Sequence, residues 1–122
     1  MKTFIPYLDP GPLPAYIGFA PDEKAFRREM KRLGVENIPT FTRSDGTTHR
    51  LRKDGILTCI VCVRKREDLE REALIGLLVH EAVHVWQAIR DHMNEEAPSP
   101  EFEAYTVQHI AQWLVRHACE LG

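Results

Sequence analysis

The sequence predicts a small α+β fold, and three observations carry that prediction. Polar and apolar residues alternate over much of the stretch from Ile38 to Val63, two Asp-Gly pairs interrupt it, and two long helical segments follow. At 122 residues the chain makes one domain, residues 1–122, able to bury roughly two-thirds of its unfolded surface. Sixteen basic residues stand against eighteen acidic ones, for a formal net charge of −2, with the two signs mixed. No nucleic-acid surface and no polybasic membrane patch is expected from that balance.

Residues 1–21 carry Pro6, Pro10, Pro12, Pro14 and Pro21 among Phe4, Tyr7, Tyr16 and Phe19. This composition predicts an extended, proline-rich segment laid over a surface rather than a packed element. Met1 to Ile5 begins like a signal peptide, but Pro6, Asp9 and Pro10 interrupt the apolar run, and no other stretch is long enough to span a bilayer. A cytoplasmic, membrane-free protein is the expectation. Asp22 then caps a helix running to about Leu33, with Gly34 as its stop.

Three short strands are predicted next, at Ile38–Thr42, Thr47–Arg52 and Ile56–Val63, with hairpin turns at Ser44-Asp45-Gly46 and Lys53-Asp54-Gly55. They would form a small antiparallel or mixed three-stranded sheet. The third strand is apolar on both faces and belongs inside it, whereas Thr47–Arg52 is polar enough to be an edge. A charged break at Arg64 to Glu67 precedes a long helix from near Asp68 to about His92. Ser99 followed by Pro100 opens a last helix reaching about Cys119.

Cys59, Cys62 and Cys119 are an odd set in a chain without a secretory signal, which favours reduced thiols. Cys59-Ile60-Val61-Cys62 has metal-knuckle spacing. On a strand, however, residues three apart point to opposite faces and cannot chelate one ion.

The long helix carries His80-Glu81-Ala82-Val83-His84, an H-E-x-x-H, inside the apolar surroundings Ala73 to Val79. Residues four apart on a helix lie about 40° from each other and one turn up the axis, so His80 and His84 can reach one metal ion. Glu81 projects about 60° beyond His84, beside the ion rather than bound to it. The flanking residues read as a helix buried nearly all round, where titratable groups need partners. The alternative is a pair of core histidines satisfied by backbone carbonyls, with Glu81 in solvent.

A catalytic zinc site needs a third protein ligand. A histidine six residues after His84 is absent, since that position is Arg90, and Gln87 replaces the glycine such a pattern uses. His92 is two turns along the same helix and cannot fold back. On the last helix Glu103 projects into an apolar arc between Ile110 and Leu114, while Glu101 falls on a polar flank. A carboxylate on such a face requires a cation or a hydrogen-bonding partner, which makes Glu103 the candidate ligand. At the edge of that face near the helix start, the macrodipole would also tolerate it.

His80-Glu81-Ala82-Val83-His84 and Glu103-Ala104, with eighteen residues between His84 and Glu103, resemble the gluzincin metallopeptidases in their minimal, single-domain form. The resemblance covers roughly Ile38 to His117. It implies a zincin-like domain whose sheet packs on the H-E-x-x-H helix and on a following glutamate-bearing helix. It also implies a Zn2+ ion held by His80, His84 and Glu103, Glu81 as general base, and a peptide or protein substrate that adds to an edge strand, for which Thr47–Arg52 is the choice. One departure is plain: where many gluzincins have an aspartate four residues after the glutamate ligand, this chain has Val107.

The expected reaction is peptide-bond hydrolysis by a metal-activated water, with Glu81 passing the proton to the leaving amine. Tyr105 and His109, on one strip of the last helix with Phe102 and Trp113, are candidate oxyanion stabilisers, or else ordinary packing residues. Two other classes compete. One is a metal-binding but inactive or latent regulatory module, with the N-terminal segment plugging the cleft; the other is a metal-free helical partner module in which the histidines are structural.

Overall fold

A mixed four-stranded sheet organises the chain. The structure, a computed structural model, describes residues 2–64 and 67–121, so Met1, Gly122, and Lys65 and Arg66 of the expected charged break lie outside the described residues. The elements in order are β1 (Tyr7–Leu8), β2 (Ala15–Ala20), α1 (Glu23–Arg32), β3 (Gly46–Lys53), β4 (Ile56–Val63), α2 (Arg71–Met93) and α3 (Pro100–Leu121). The strand order is β1-β2-β4-β3, with β2 and β4 parallel and the other two pairs antiparallel.

Two expectations are corrected here. The proline-rich start is not merely draped over a surface, because it supplies β1 and β2, and β2 lies between β1 and β4. Its prolines all fall outside Ala15–Ala20, so every backbone N–H of that run can join a ladder. Of the three predicted strands Thr47–Arg52 and Ile56–Val63 form, within β3 and β4, but Ile38–Thr42 is not a strand, and β1 and β2 bring the sheet to four. Pro39 offers no N–H to a ladder, and Ile38 and Phe41 pack instead beneath α1. The Phe41 carbonyl accepts the ring N–H of His49 at 2.9 Å. Without a strand before it, Ser44-Asp45-Gly46 is an entry loop to β3 rather than a hairpin.

The second hairpin forms as the sequence predicts. Asp54 and Gly55 have φ of 54° and 79°, the paired left-handed conformation of a two-residue turn that matches strand twist. It places Lys53 opposite Ile56 and Thr48 opposite Val61.

The sheet separates two apolar clusters because alternate residues point to opposite faces. Ile17, Phe19, Leu57, Cys59 and Val61 face α2 and α3, where they meet Leu78, Val85, Ile89, Ile110 and Leu114. Ala20, Ile60 and Cys62 face α1 and meet Phe26 and Met30. Most of these side chains are fully buried, each worth about 1.5–3 kcal/mol when large.

Caps set the helix ends. Asp22 accepts the Ala25 N–H at 2.8 Å, and α1 closes with Val35 N–H on the Met30 carbonyl at 3.0 Å. The α2 helix ends on left-handed Asn94 (φ 58°), with Glu95 N–H on the Arg90 carbonyl at 3.1 Å. That reversal is what returns α3 along α2.

Candidate metal centre

Helix α2 lies across the sheet with Leu78, Ala82, Val85 and Ile89 inward. The helical period then dictates where the motif points: His80 and His84 fall on the exposed strip with Ala73, Gly76 and Gln87, while Glu81 turns toward the sheet and is 2% exposed. The helix is therefore not buried all round. Its apolar run includes Ala73 and Val79, which are exposed, and that leaves the two imidazoles accessible.

The two imidazoles converge. His80 Nε2 and His84 Nε2 are 3.1 Å apart, with the rings edge to face at 4.7 Å between centroids. Two nitrogens bound to one zinc at about 2.0–2.1 Å and the tetrahedral angle are roughly 3.3 Å apart, so the pair already has nearly the separation of two ligands. His84 Nδ1 lies 2.9 Å from Gln87 Oε1. An amide oxygen only accepts, so Nδ1 donates here and His84 Nε2 accepts; the 3.1 Å contact is then a hydrogen bond from His80 Nε2–H, a proton that a metal ion would displace. Gln87 thus does what an outer partner of a metal-binding histidine does.

Glu81 is anchored from the opposite side by the sheet edge. Thr48 Oγ1 on β3 donates to Glu81 Oε1 at 2.8 Å and lies 3.4 Å from the Glu81 main-chain carbonyl. Gly46, at the start of the same strand, lies so close that a Cβ there would stand 3.1 Å from Glu81 Oε2 and 3.1 Å from Leu77 Cδ1. A side chain at Gly46 would press on both by a few tenths of an ångström. Arg50, further along β3, pairs with Asp91 of α2 at 3.1 Å.

Glu103 stands in the first turn of α3, half-buried, and its Oε2 accepts the indole N–H of Trp86 at 2.7 Å. Trp86 is 2% exposed and meets the Phe102 ring edge to face at 5.8 Å. The carboxylate that the apolar arc left in need of a partner has one in this indole. Among the described residues, no three His, Cys, Asp or Glu side chains are gathered into a group that could hold a metal ion. The histidines are together; Glu103 is held on the neighbouring helix.

Tyr105 is 67% exposed and His109 is also exposed, both on the solvent side of α3. Val107, where the resemblance leads one to look for an aspartate, packs against the main apolar cluster. Trp113 contacts His117, with ring centroids 4.5 Å apart.

Cys59 and Cys62 lie on opposite faces of β4, one in each apolar cluster. Burial pushes the Cys59 thiol up to about 12. Burial, and after it the charge of Glu81, pushes Cys62 up as well. On opposite faces, the two thiols cannot share one ion. A groove of about 810 Å³, lined by Tyr7, Tyr16, Leu51, Ile56, Arg52 and Lys53 among others, includes none of the motif residues.

Sequence reasoning missed Thr48, Gly46, Trp86 and Gln87. Gln87 alone had a local signal, being one turn beyond His84 on the same strip. Among the described residues no helix is long and apolar enough to cross a membrane. No protein-family model, no curated protein and no solved structure matches this chain.

Proposed function

We propose that this chain is a zinc-dependent peptidase in which His80, His84 and Glu103 hold the ion and Glu81 serves as general base. The observation that carries this reading is the convergence of the two Nε2 atoms at 3.1 Å on the exposed strip of α2, with Glu81 of the same turn held by the sheet edge. Two imidazoles and a carboxylate are a donor set suited to zinc. When bound, zinc supplies Lewis acidity toward a carbonyl oxygen and lowers the pKa of a water.

The chain's own residues account for the rest of the chemistry. Thr48 holds Glu81 Oε1, which leaves Oε2 as the oxygen that takes a proton and returns it to the leaving amine. Gln87 keeps the His84 proton on Nδ1. The edge strand β3 offers a backbone ladder beside these groups, to which an extended peptide could add a strand.

Replacing Glu81 with Gln tests the reading. Zinc content, measured on protein purified without an affinity tag, should stay at about one equivalent, and hydrolysis of a peptide library should fall by roughly 10²–10⁴-fold. A wild-type chain without metal, or an E81Q variant as active as wild type, would sink it.

One observation favours a second reading, a metal-binding module that is latent or inactive. Both carboxylates the chemistry needs are already engaged, Glu81 by Thr48 and Glu103 by Trp86. Zinc uptake with no cleavage of any peptide in the library would select it.

A further inference from the structure

We propose that the groove on the α1 side of the sheet is a second binding site, one that takes an apolar organic acid, an aryl or acyl carboxylate. It stands apart from the zinc reading, since the groove includes none of the motif residues.

Its floor follows from a mismatch of lengths. Helix α1 has ten residues, about 15 Å, and covers the part of the sheet where Ala20, Ile60 and Cys62 meet Phe26 and Met30. The sheet runs on past the end of that helix. Tyr16, Thr58 and Leu51 lie side by side on β2, β4 and β3, and two residues before Thr58 comes Ile56, opposite Lys53. All five share the α1 face by strand alternation. Tyr16 and Ile56 are each left 51% exposed. Leu33 and Val35 wall one side, and the groove, about 810 Å³, has the volume of a site for a small organic molecule.

An apolar floor alone does not choose a ligand, and two polar features do. The first is Thr58, only 8% exposed, whose hydroxyl makes no hydrogen bond among the described residues. No side-chain oxygen sealed from solvent lacks a partner among those residues, so this hydroxyl opens into the groove that Thr58 lines. It stands mid-floor, between Tyr16 and Leu51, as a donor facing the ligand space.

The second feature is charge. Arg32, Arg50, Arg52 and Lys53 line the groove against one carboxylate, Asp54. Arg32 is held by Glu29 and Arg50 by Asp91, whereas Arg52 and Lys53 form no ion pair among the described residues. Lys53 reaches from β3 to the end of α1, where a Cβ on Gly34 would stand 3.0 Å from its Nζ. That sets the ammonium group at the groove wall, beside the apolar floor. A neutral ligand would leave these cations unmatched, and a small inorganic anion would leave the floor wet. An apolar body ending in a carboxylate answers floor, hydroxyl and ammonium together.

Naphthoate serves as the probe, titrated into isotopically labelled full-length chain with a chelator present throughout, so that the result does not turn on the metal reading. Amide shifts should follow a one-site curve and centre on Tyr16, Leu51, Lys53, Ile56 and Thr58. Naphthamide, the same ring without the charge, should bind roughly three- to tenfold more weakly. Lys53→Met keeps the side-chain stem and removes the ammonium, and it should weaken naphthoate by roughly three- to tenfold while leaving naphthamide unchanged. A titration that does not saturate, shifts centred on another surface, or a difference below threefold in either comparison would overturn the proposal. The comparison of the two probes on the wild-type chain needs no variant, so it decides the matter even if Lys53→Met fails to fold.

Discussion

Thr48 and Glu81, thirty-three residues apart in sequence, meet where the edge strand β3 passes α2, with the threonine hydroxyl donating to Glu81 Oε1 at 2.8 Å. The bond fixes one oxygen of a carboxylate that is 2% exposed. It also joins the candidate base to the strand that an added peptide would pair with. Were Glu81 the proposed base, stability and chemistry would be coupled at this residue.

Thr48→Val removes the donor while keeping the branched shape. Leaving Glu81 without that bond should cost about 1–3 kcal/mol, read as a lower urea midpoint at unchanged m. If the chain cleaves peptides, kcat should fall by roughly tenfold with little change in KM, and Thr48→Ser should recover most of both. A Thr48→Val protein as stable and active as wild type would remove this residue from the account.

Metal binding should appear as thermodynamic linkage. Zinc at about a thousand times its Kd should stabilise the folded chain by about 4 kcal/mol, and a chelator should reverse this. His80→Asn and His84→Asn should abolish the zinc-dependent rise in Tm and leave the metal-free Tm close to wild type, since both side chains are exposed. A zinc effect that survives in both variants would place the ion elsewhere.

Which of these features sequence could reveal depends on how local the physics is. The directions of His80, Glu81 and His84 follow from helical period alone, and the Asp54-Gly55 turn from two adjacent residues, so both were readable. The helical projection also marked Glu103 as a carboxylate needing a partner. That the partner is Trp86 depends on how α2 and α3 pack, which no local pattern encodes. The strand β2 was missed for a similar reason: Ala15, Gly18 and Ala20 have poor strand propensity, and Ile17 lies beside Cys59, forty-two residues away. Ile38–Thr42 misled in the other direction, because its alternation reflects two apolar anchors in a loop rather than a pleat.

The three thiols should separate cleanly by reactivity. Cys119 is exposed, while Cys59 and Cys62 are buried on β4 with both thiols pushed up by burial. A chromogenic disulfide reagent at pH 8 should react rapidly with about one thiol per native chain, and with all three in denaturant. Prompt reaction of two or three native thiols would contradict the placement of β4 in the sheet.

The acid limb of stability should report on a second buried carboxylate, remote in sequence from the motif. Burial alone would raise Glu29, but the Arg32 guanidinium, the Phe4 N–H at 3.0 Å and the Tyr7 hydroxyl at 2.5 Å outweigh it and hold the carboxyl below its ordinary value. These bonds fasten β1 and the chain just before it to α1. A carboxylate depressed in the folded state stabilises in full above its unfolded value of about 4.5, and that contribution is lost as pH falls toward the folded value. Unfolding free energy should therefore decline below about pH 4.5, because the unfolded chain binds the extra proton. Glu29→Gln should lower stability at pH 7 and flatten this decline, as followed by urea titrations between pH 3 and 7. An acid limb of unchanged slope in Glu29→Gln would show that other carboxylates govern it.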